Sequence, residues 1–286
     1  MSDLPKLSEL AIEAAKTLTK EVYADIGHPV AASIGDAIKS ALDIVLLPVH
    51  LAAYPATKAN LVLKQNLRDF ARRLTSVREE NMKKPPNEVA VPILQRLTYV
   101  EDDDIRRMYI ELLAKASDKA QEQSAHPSFI HVIEAISPDE ARMVQFFRDN
   151  SSFPYVWVRM AFITTPAHEK FPMSAPGLDL TTDLTGLESH LDLRFPSNIP
   201  LYLTNCMALG LITRHDGELS DTNRHYLPLE EMYDVIRNDL FNRGHNGKQY
   251  PVFFVRGYYR ITPFGKAFIK AVIPDSGDPQ QELIDA

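Results

Sequence analysis

The sequence is short of the features that usually announce chemistry. Its 286 residues hold one cysteine, Cys206. That excludes a disulfide framework and a cysteine-rich metal knuckle, and it suits a reducing, cytosolic setting. There is no G-x-x-x-x-G-K phosphate loop, no G-x-G-x-x-G, no G-x-S-x-G and no H-E-x-x-H. The commoner nucleotide and hydrolase chemistries are not expected, and neither is a cofactor or a resident metal. Positive charge is not in excess: 31 Lys and Arg stand against 38 Asp and Glu, a net −7. Broad nucleic-acid binding needs a basic footprint that this balance does not supply. Long hydrophobic runs are missing too. No window reaches the roughly 18 uncharged apolar residues of a spanning helix. The opening "MSDLPKLSEL" places acidic residues ahead of any apolar run, unlike a secretory signal.

What is present is ordinary globular material: 45% hydrophobic and 24% charged residues, enough for a sizeable core. The pattern is helical at first. Leu7, Leu10, Ala11, Ala14, Leu18 and Val22 recur at three and four, which predicts a helix over 5–24. Gly27-His28-Pro29 ends it. A second helix is expected over 30–47, stopped by Pro48, and a third from near Pro55 to about Arg78. "MKKPPN" is a break, and helices are expected over 88–100, 104–119 and 128–136. Ile105, Met108, Leu112 and Leu113 form the core stripe of the second of these. Ser137-Pro138-Asp139-Glu140 is a capping box with proline at the first helical position. It opens a helix ending near Asn150.

The character then changes. "YVWVRMAFIT", residues 155–164, is strand-like, with Trp157 in its core, and 166–186 reads as a long loop. A helix over 197–209, the strand and turn "GLITRHDGELS", a helix over 230–241, the strand "VFFVRGYYRIT" and a helix begun by Thr262-Pro263 follow. Helix, "LGLI", hairpin and "YYRITPFGKAFI" make the pattern of a winged-helix domain, its last helix packing back through Phe264, Phe268 and Ile269. The expected architecture is mainly α: an α-helical domain over 1–125, a winged-helix-like α+β domain over 126–275, and an acidic tail over 276–286.

Five features invite a functional reading, each with a plainer one beside it. The acidic run Glu101-Asp102-Asp103-Asp104 has the oxygen donors of a divalent-cation site, but it also sits where a helix N-terminus wants a cap and negative charge. His126 and His131 are five apart, one more than metal ligands on a helix face need, and a loop-capping role is expected for His126. Cys206, among Leu203, Met207 and Leu209, reads as a buried structural thiol. Lys64 to Lys84 holds seven basic residues against three acidic ones, a net +4 in an acidic protein. Within it Lys64, Arg68 and Arg72 share a helical face, and with Arg73 they are the candidate anion-binding group for an acidic partner, nucleic acid or lipid head groups. Arg256 and Arg260 are the candidate wing contacts, with Arg214 and Arg224 nearby. The would-be reading helix over 197–209 carries no lysine or arginine, so a protein-interaction use of the fold is favoured over DNA reading.

The stretch "ALDIVLLPVHLAAYP", residues 41–55, is the most apolar. Fourteen residues between Asp43 and Lys58 carry no formal charge with His50 neutral. A helix apolar all round must be covered by protein or lipid. Ile44, Val45, Leu46, Leu47, Val49 and Leu51 are therefore either core or the membrane-contacting part of 41–63, the basic helix after them lying on head groups.

Four blocks resemble the abortive infection alpha family. They are Gly27-His28-Pro29 with "VAASIGDAI", "VAVPILQRLTYVEDDDIRRMYIELLAKASD" over 89–118, "HPSFIHVIEAISPDEARMV" over 126–144, and the "LGLI" and "YYRITPFGKAFI" of the last third. The resemblance implies a bacterial phage-resistance role by abortive infection and carries over no catalytic residue. The function expected from it is defence without enzymatic activity, through a protein partner or self-association. Contact with an anionic membrane is the alternative and DNA regulation the third. The protein is expected to be cytoplasmic or peripheral to the inner membrane.

Overall fold

The computed structural model describes residues 56–162, 176–220 and 222–274. The expected helices over 5–24 and 30–47, and the apolar segment over 41–55, lie outside the described residues. Packing divides the chain into two compact units. One takes the residues up to Ala141 together with those from Ala267 onward; the other is Arg142–Lys266. The division falls inside two helices, whereas the sequence reading drew its boundary at 125/126.

The first unit is helical. Its elements are α1 (Ala56–Leu74), α2 (Asn87–Arg96), α3 (Asp103–Ala116), α4 (Ser128–Ala135) and the start of α5 (Pro138–Asp149). The end of α8 (Pro263–Val272) also belongs to it. Spacing of three and four puts Leu63, Leu67, Phe70 and Leu74 on one face of α1, all at most 2% exposed. Ile93, Leu94, Leu97, Leu112, Leu113 and Phe268 are fully buried in the same unit. Each such side chain contributes about 1.5–3 kcal/mol. Phe268 meets Phe129 edge-on at 5.6 Å. Phe264, expected to pack back, is instead 38% exposed.

The helix ends carry the caps read from the sequence. Asp102 Oδ1 accepts from the backbone N–H of Asp104 and Ile105, both at 3.1 Å, and Asp103 pairs with Arg106 at 2.9 Å. The acidic run thus serves the start of α3. His126 Nδ1 accepts from the Ser128 N–H at 3.1 Å at the start of α4, whereas His131 is exposed beside Glu134. Ser137 and Glu140 form the reciprocal box: the Ser137 N–H donates to Glu140 Oε2 at 2.7 Å, and the Glu140 N–H to Ser137 Oγ at 3.3 Å. Asn66, 1% exposed, donates to the Leu97 carbonyl at 2.7 Å and so closes the far end of α2.

At the centre of this unit lies charge. Glu111 and Lys115 have side chains 2% exposed and pair at 3.1 Å, one helical turn apart. Arg73 of α1 grips the same carboxylate twice, Nε to Oε2 at 2.5 Å and Nη2 to Oε1 at 2.9 Å. Lys115 Nζ also donates to the carbonyls of Lys270 and of Ile273 at the end of α8. Those carbonyls have no partner within the helix, so the ammonium satisfies them and faces the negative end of the helix dipole. Burial pushes the Glu111 carboxyl up, but the Arg73 hydrogen bond and the Arg73 and Lys115 charges outweigh it and hold it below the ordinary range.

The second unit is mixed α+β. A four-stranded antiparallel sheet has the order β2-β1-β4-β3, from β1 (Ser152–Ala161), β2 (Gly177–Asp179), β3 (Ile212–Asp216) and β4 (Val252–Ile261). α6 (Ile199–Ala208) precedes β3, and α7 (Thr222–Arg243) joins β3 to β4. Cys206 is fully buried in α6. α7 starts eight residues earlier than the pattern predicts and runs through Pro228. Tyr226, Leu229 and Tyr233, packed on Val156 of the sheet, hold its first turns helical. Tertiary burial there outweighs the missing N–H of proline. Strand β2 falls within the expected long loop.

Two glycines are required by close approach. Gly257 lies opposite Tyr155, and a Cβ there would come 2.2 Å from the phenol oxygen. At Gly265, in the first turn of α8, a Cβ would meet the Leu211 carbonyl at 2.1 Å.

Lys115→Met strands part of the Glu111 charge and uncovers the α8 carbonyls, so it should lower stability by about 3–5 kcal/mol in urea unfolding. Because the folded pKa of Glu111 lies below its ordinary 4.5, its pairs stabilise above that pH and are lost as pH falls below it. The urea midpoint should drop on that acid side more in wild type than in Glu111→Gln. Separately, a Cβ at Gly265 meets the Leu211 backbone, and one at Gly257 meets both the sealed Tyr155 ring and the His215 carbonyl, so Gly265→Ala and Gly257→Ala should each lower stability in urea unfolding by about 1–3 kcal/mol.

Candidate functional site

The chemistry-bearing side chains of the second unit gather on the two faces of its sheet. Strand alternation sends Phe153, Tyr155 and Trp157 to one face and Val156 to the other. The first face is a row of rings: Phe147 to Phe153 at 5.5 Å, Phe153 to Tyr259 at 5.3 Å, Tyr259 to Tyr155 at 5.0 Å and Tyr155 to Trp157 at 5.7 Å. Trp157 is 5% exposed, so it is strand core as expected.

Arg214 of β3 lies over that row, its guanidinium 4.7 Å from the Tyr155 ring centre and 5.0 Å from that of Trp157. It donates to both oxygens of Asp183, at 2.7 and 3.2 Å, and to Asp216 at 2.7 Å. Tyr259 donates to Asp183 at 2.7 Å. The Asp183 bond raises the Arg214 pKa further. Burial first, then the Asp183 carboxylate, raises the phenols of Tyr259 and Tyr155 well above their ordinary value. At the β2 edge, Asp179 accepts from the Trp157 indole at 3.0 Å and from Arg159 at 2.6 Å.

The second face is covered by α7. Tyr226, fully buried, accepts from the Leu219 N–H at 3.0 Å and donates to the Gly257 carbonyl at 3.1 Å. Tyr233 accepts from the Gly186 N–H at 3.0 Å and donates to Glu188. Arg256 lies over the Tyr226 ring at 5.3 Å and donates to both oxygens of Glu230, at 2.6 and 3.0 Å, and to Glu218 at 3.3 Å.

The candidates from the sequence therefore part company. Of the wing pair, Arg256 is held by two carboxylates, whereas Arg260 is exposed above the Tyr258 ring at 5.3 Å. Arg214, also placed at the wing, is bound into the sheet. Of the anion-binding group, Arg73 is turned inward to Glu111, and Arg72 is 68% exposed beside Asp69 at 3.2 Å. Lys64 and Arg68 are half-buried along the same edge of α1. Ile44 to Leu51 lie outside the described residues. The sequence reading missed Glu111, Lys115, Asp183 and Glu230 altogether. The one signal available was Glu111 and Lys115 set four apart inside the otherwise apolar "IELLAKA". Among the described residues no group of three or more His, Cys, Asp and Glu could hold a metal ion, and no helix is long and apolar enough to cross a membrane.

Comparison with known proteins gives a family. No curated protein matches the chain. A solved structure of an uncharacterized protein from the hydrocarbon-degrading marine bacterium Alcanivorax borkumensis SK2 is similar at 18% identity and TM-score 0.32, over 55% of this chain and 96% of that one. The family model for abortive infection alpha matches residues 60–272. That span contains the blocks over 89–118 and 126–144 and the "LGLI" and "YYRITPFGKAFI" motifs, and it leaves Gly27-His28-Pro29 outside. With most of its length matched, the chain belongs to the abortive infection alpha family, and so to phage defence by abortive infection.

Proposed function

We propose that this protein serves phage defence by protein contact rather than by turnover, and that its C-terminal region is a winged-helix variant not used to read DNA. The variant reading is supported by element order: α6, then β3 and β4 paired antiparallel, then α8. Where a wing would turn, the 22 residues of α7 intervene. The observation that carries the reading is the placement of Arg214 and Arg256. Each is bound to two carboxylates of its own unit, so moving either to a phosphate would strand them at about 1–3 kcal/mol per group. Meanwhile the helix in the reading position presents Leu201, 63% exposed, and no charged side chain. On this helix, surface apolar residues rather than basic ones are what a partner would meet.

A second reading, contact with an anionic membrane surface in a cytoplasmic, peripheral protein, is favoured by one arrangement. Lys64, Arg68 and Arg72 follow one edge of α1, directly after the uncharged run of 44–57. Three such residues would contribute about 1 kcal/mol each near anionic lipid.

Phage plating on cells expressing variants tests the first reading. Leu201→Asp and Val235→Asp, folded by circular dichroism, should lose most of the protection, and Arg260→Ala should keep it. Steeply salt-dependent duplex binding weakened by Arg260→Ala would replace it with DNA reading. Turnover of nucleotide, nucleic acid or peptide, lost on a point substitution, would remove the non-enzymatic part. For the second reading, vesicles rich in anionic lipid should sediment wild type more than Arg68→Glu/Arg72→Glu.

A further inference from the structure

Among the described residues, α6 is the one α-helix without a charged side chain. It lies in the longest uncharged run of the chain, the nineteen residues between Arg194 and Arg214. One side of α6 is sealed: Ile199, Tyr202, Leu203 and Cys206 are at most 5% exposed. The other side is open. Leu201, Thr204 and Ala208 are exposed, as is Ser197 in the short 3-10 turn Pro196–Asn198 just before the helix. These four step by four, three and four, so they form one stripe. The Thr204 hydroxyl donates back to the Pro200 carbonyl at 2.8 Å, which leaves its methyl for a neighbour. From Leu201 to Ala208 the stripe therefore asks no hydrogen bond of a partner.

We infer that this stripe is where two copies of the chain meet, α6 packing antiparallel on the α6 of a second copy. The inference rests on the protein-contact reading above and names its partner. At a two-fold axis each group meets its own counterpart, so a charge near the axis is opposed by the same charge. In a chain of net −7, a face without charge is where two copies can touch free of that repulsion. A partner recognised by charge would find nothing on this face to recognise. The spacing is symmetric as well. Positions 201 and 204, and positions 197 and 208, lie equally far on either side of the point between Tyr202 and Leu203. An antiparallel mate thus sets Leu201 against Thr204 of the other copy, and Ser197 against its Ala208. Steps of four and three are those by which side chains of two helices interlock, and the small residues beside Leu201 leave room for it. The stripe is short, so the contact belongs to the weak class.

Sedimentation equilibrium of the full chain up to about 1 mM tests this. Wild type should show a monomer–dimer equilibrium. Leu201 is 63% exposed in the first turn of α6, where a carboxylate suits the helix dipole, so Leu201→Asp should stay folded. Leu201→Asp and Thr204→Lys should each weaken the dimer about tenfold or more. Mixed in equal amounts, the two variants should recover a dimer, because position 201 of one chain faces position 204 of the other. Val235→Asp, on another helix, should dimerise like wild type. A wild type that stays monomeric throughout overturns the inference. So does a Leu201→Asp or Thr204→Lys dimer of wild-type strength, a mixture that recovers nothing, or a Val235→Asp that dissociates. Should Leu201→Asp fail to fold, Thr204→Lys decides alone. The two readings separate cleanly. A wild-type monomer whose protection is nonetheless lost in Leu201→Asp keeps protein contact and removes the second copy. A dimer broken by Leu201→Asp with protection intact keeps the second copy and removes its contact from defence.

Discussion

A carboxylate sealed among leucines is tolerable only if its charge is met at close range, and in the first unit that condition organises everything around it. Glu111 is met by Arg73 from α1 and by Lys115 from its own helix. Lys115 in turn ends α8 by holding its last carbonyls. Three helices far apart in sequence are thereby fixed in register by polar contacts that tolerate little displacement. Hydrophobic burial supplies most of the stability, but it is non-directional. Apolar faces alone would allow these helices to slide; the ion pairs select one arrangement.

The same economy governs the second unit. Arg214 and Arg256 sit on opposite faces of one sheet, each stacked on tyrosine and gripped by two carboxylates. Arginine suits this use because its planar fork meets a carboxylate bidentately while its face lies on a ring. Two arginines that look available in the sequence are consumed in holding the sheet to its coverings. Hydrocarbon on α6 and α7 reaches the surface of this unit beside arginines that stay exposed, Arg224 and Arg260 among them.

Secondary structure was legible wherever a local rule governed it. The Ser137–Glu140 box, the Asp102 cap, the His126 turn and the Thr262-Pro263 start all depend on residues within a few positions, and each is found as read. Misreadings came where distant contacts decided. Pro228 should have excluded the first turns of α7, but Tyr226 and Leu229 hold them helical against the sheet. Arg73 shared the basic spacing of its neighbours, and nothing local said that a carboxylate 38 residues away would turn it inward. Phe264 and Phe268 were equally apolar on paper, yet one is exposed and the other sealed. Of the candidate site, Arg256 and Arg214 were named in the sequence, but their partners Glu230 and Asp183 sit in segments that periodicity does not connect to them. Family membership was legible because it rests on ordered blocks, which survive errors in any single residue's role.

The Lys115 contact also sets a clock. Its acceptor on α8 lies 155 residues further along the chain. At about 5–20 residues per second of synthesis, the ribosome needs roughly 8–30 s to deliver that acceptor after Lys115 has been made. For that interval α1 to α4 are present without the strand of carbonyls that completes their charge network. The second unit, whose residues all lie between, emerges in full before the first can close. A nascent chain of this protein therefore finishes its middle first and its beginning last, and a copy cut short by a stalled ribosome would leave the Lys115 ammonium held by Glu111 alone.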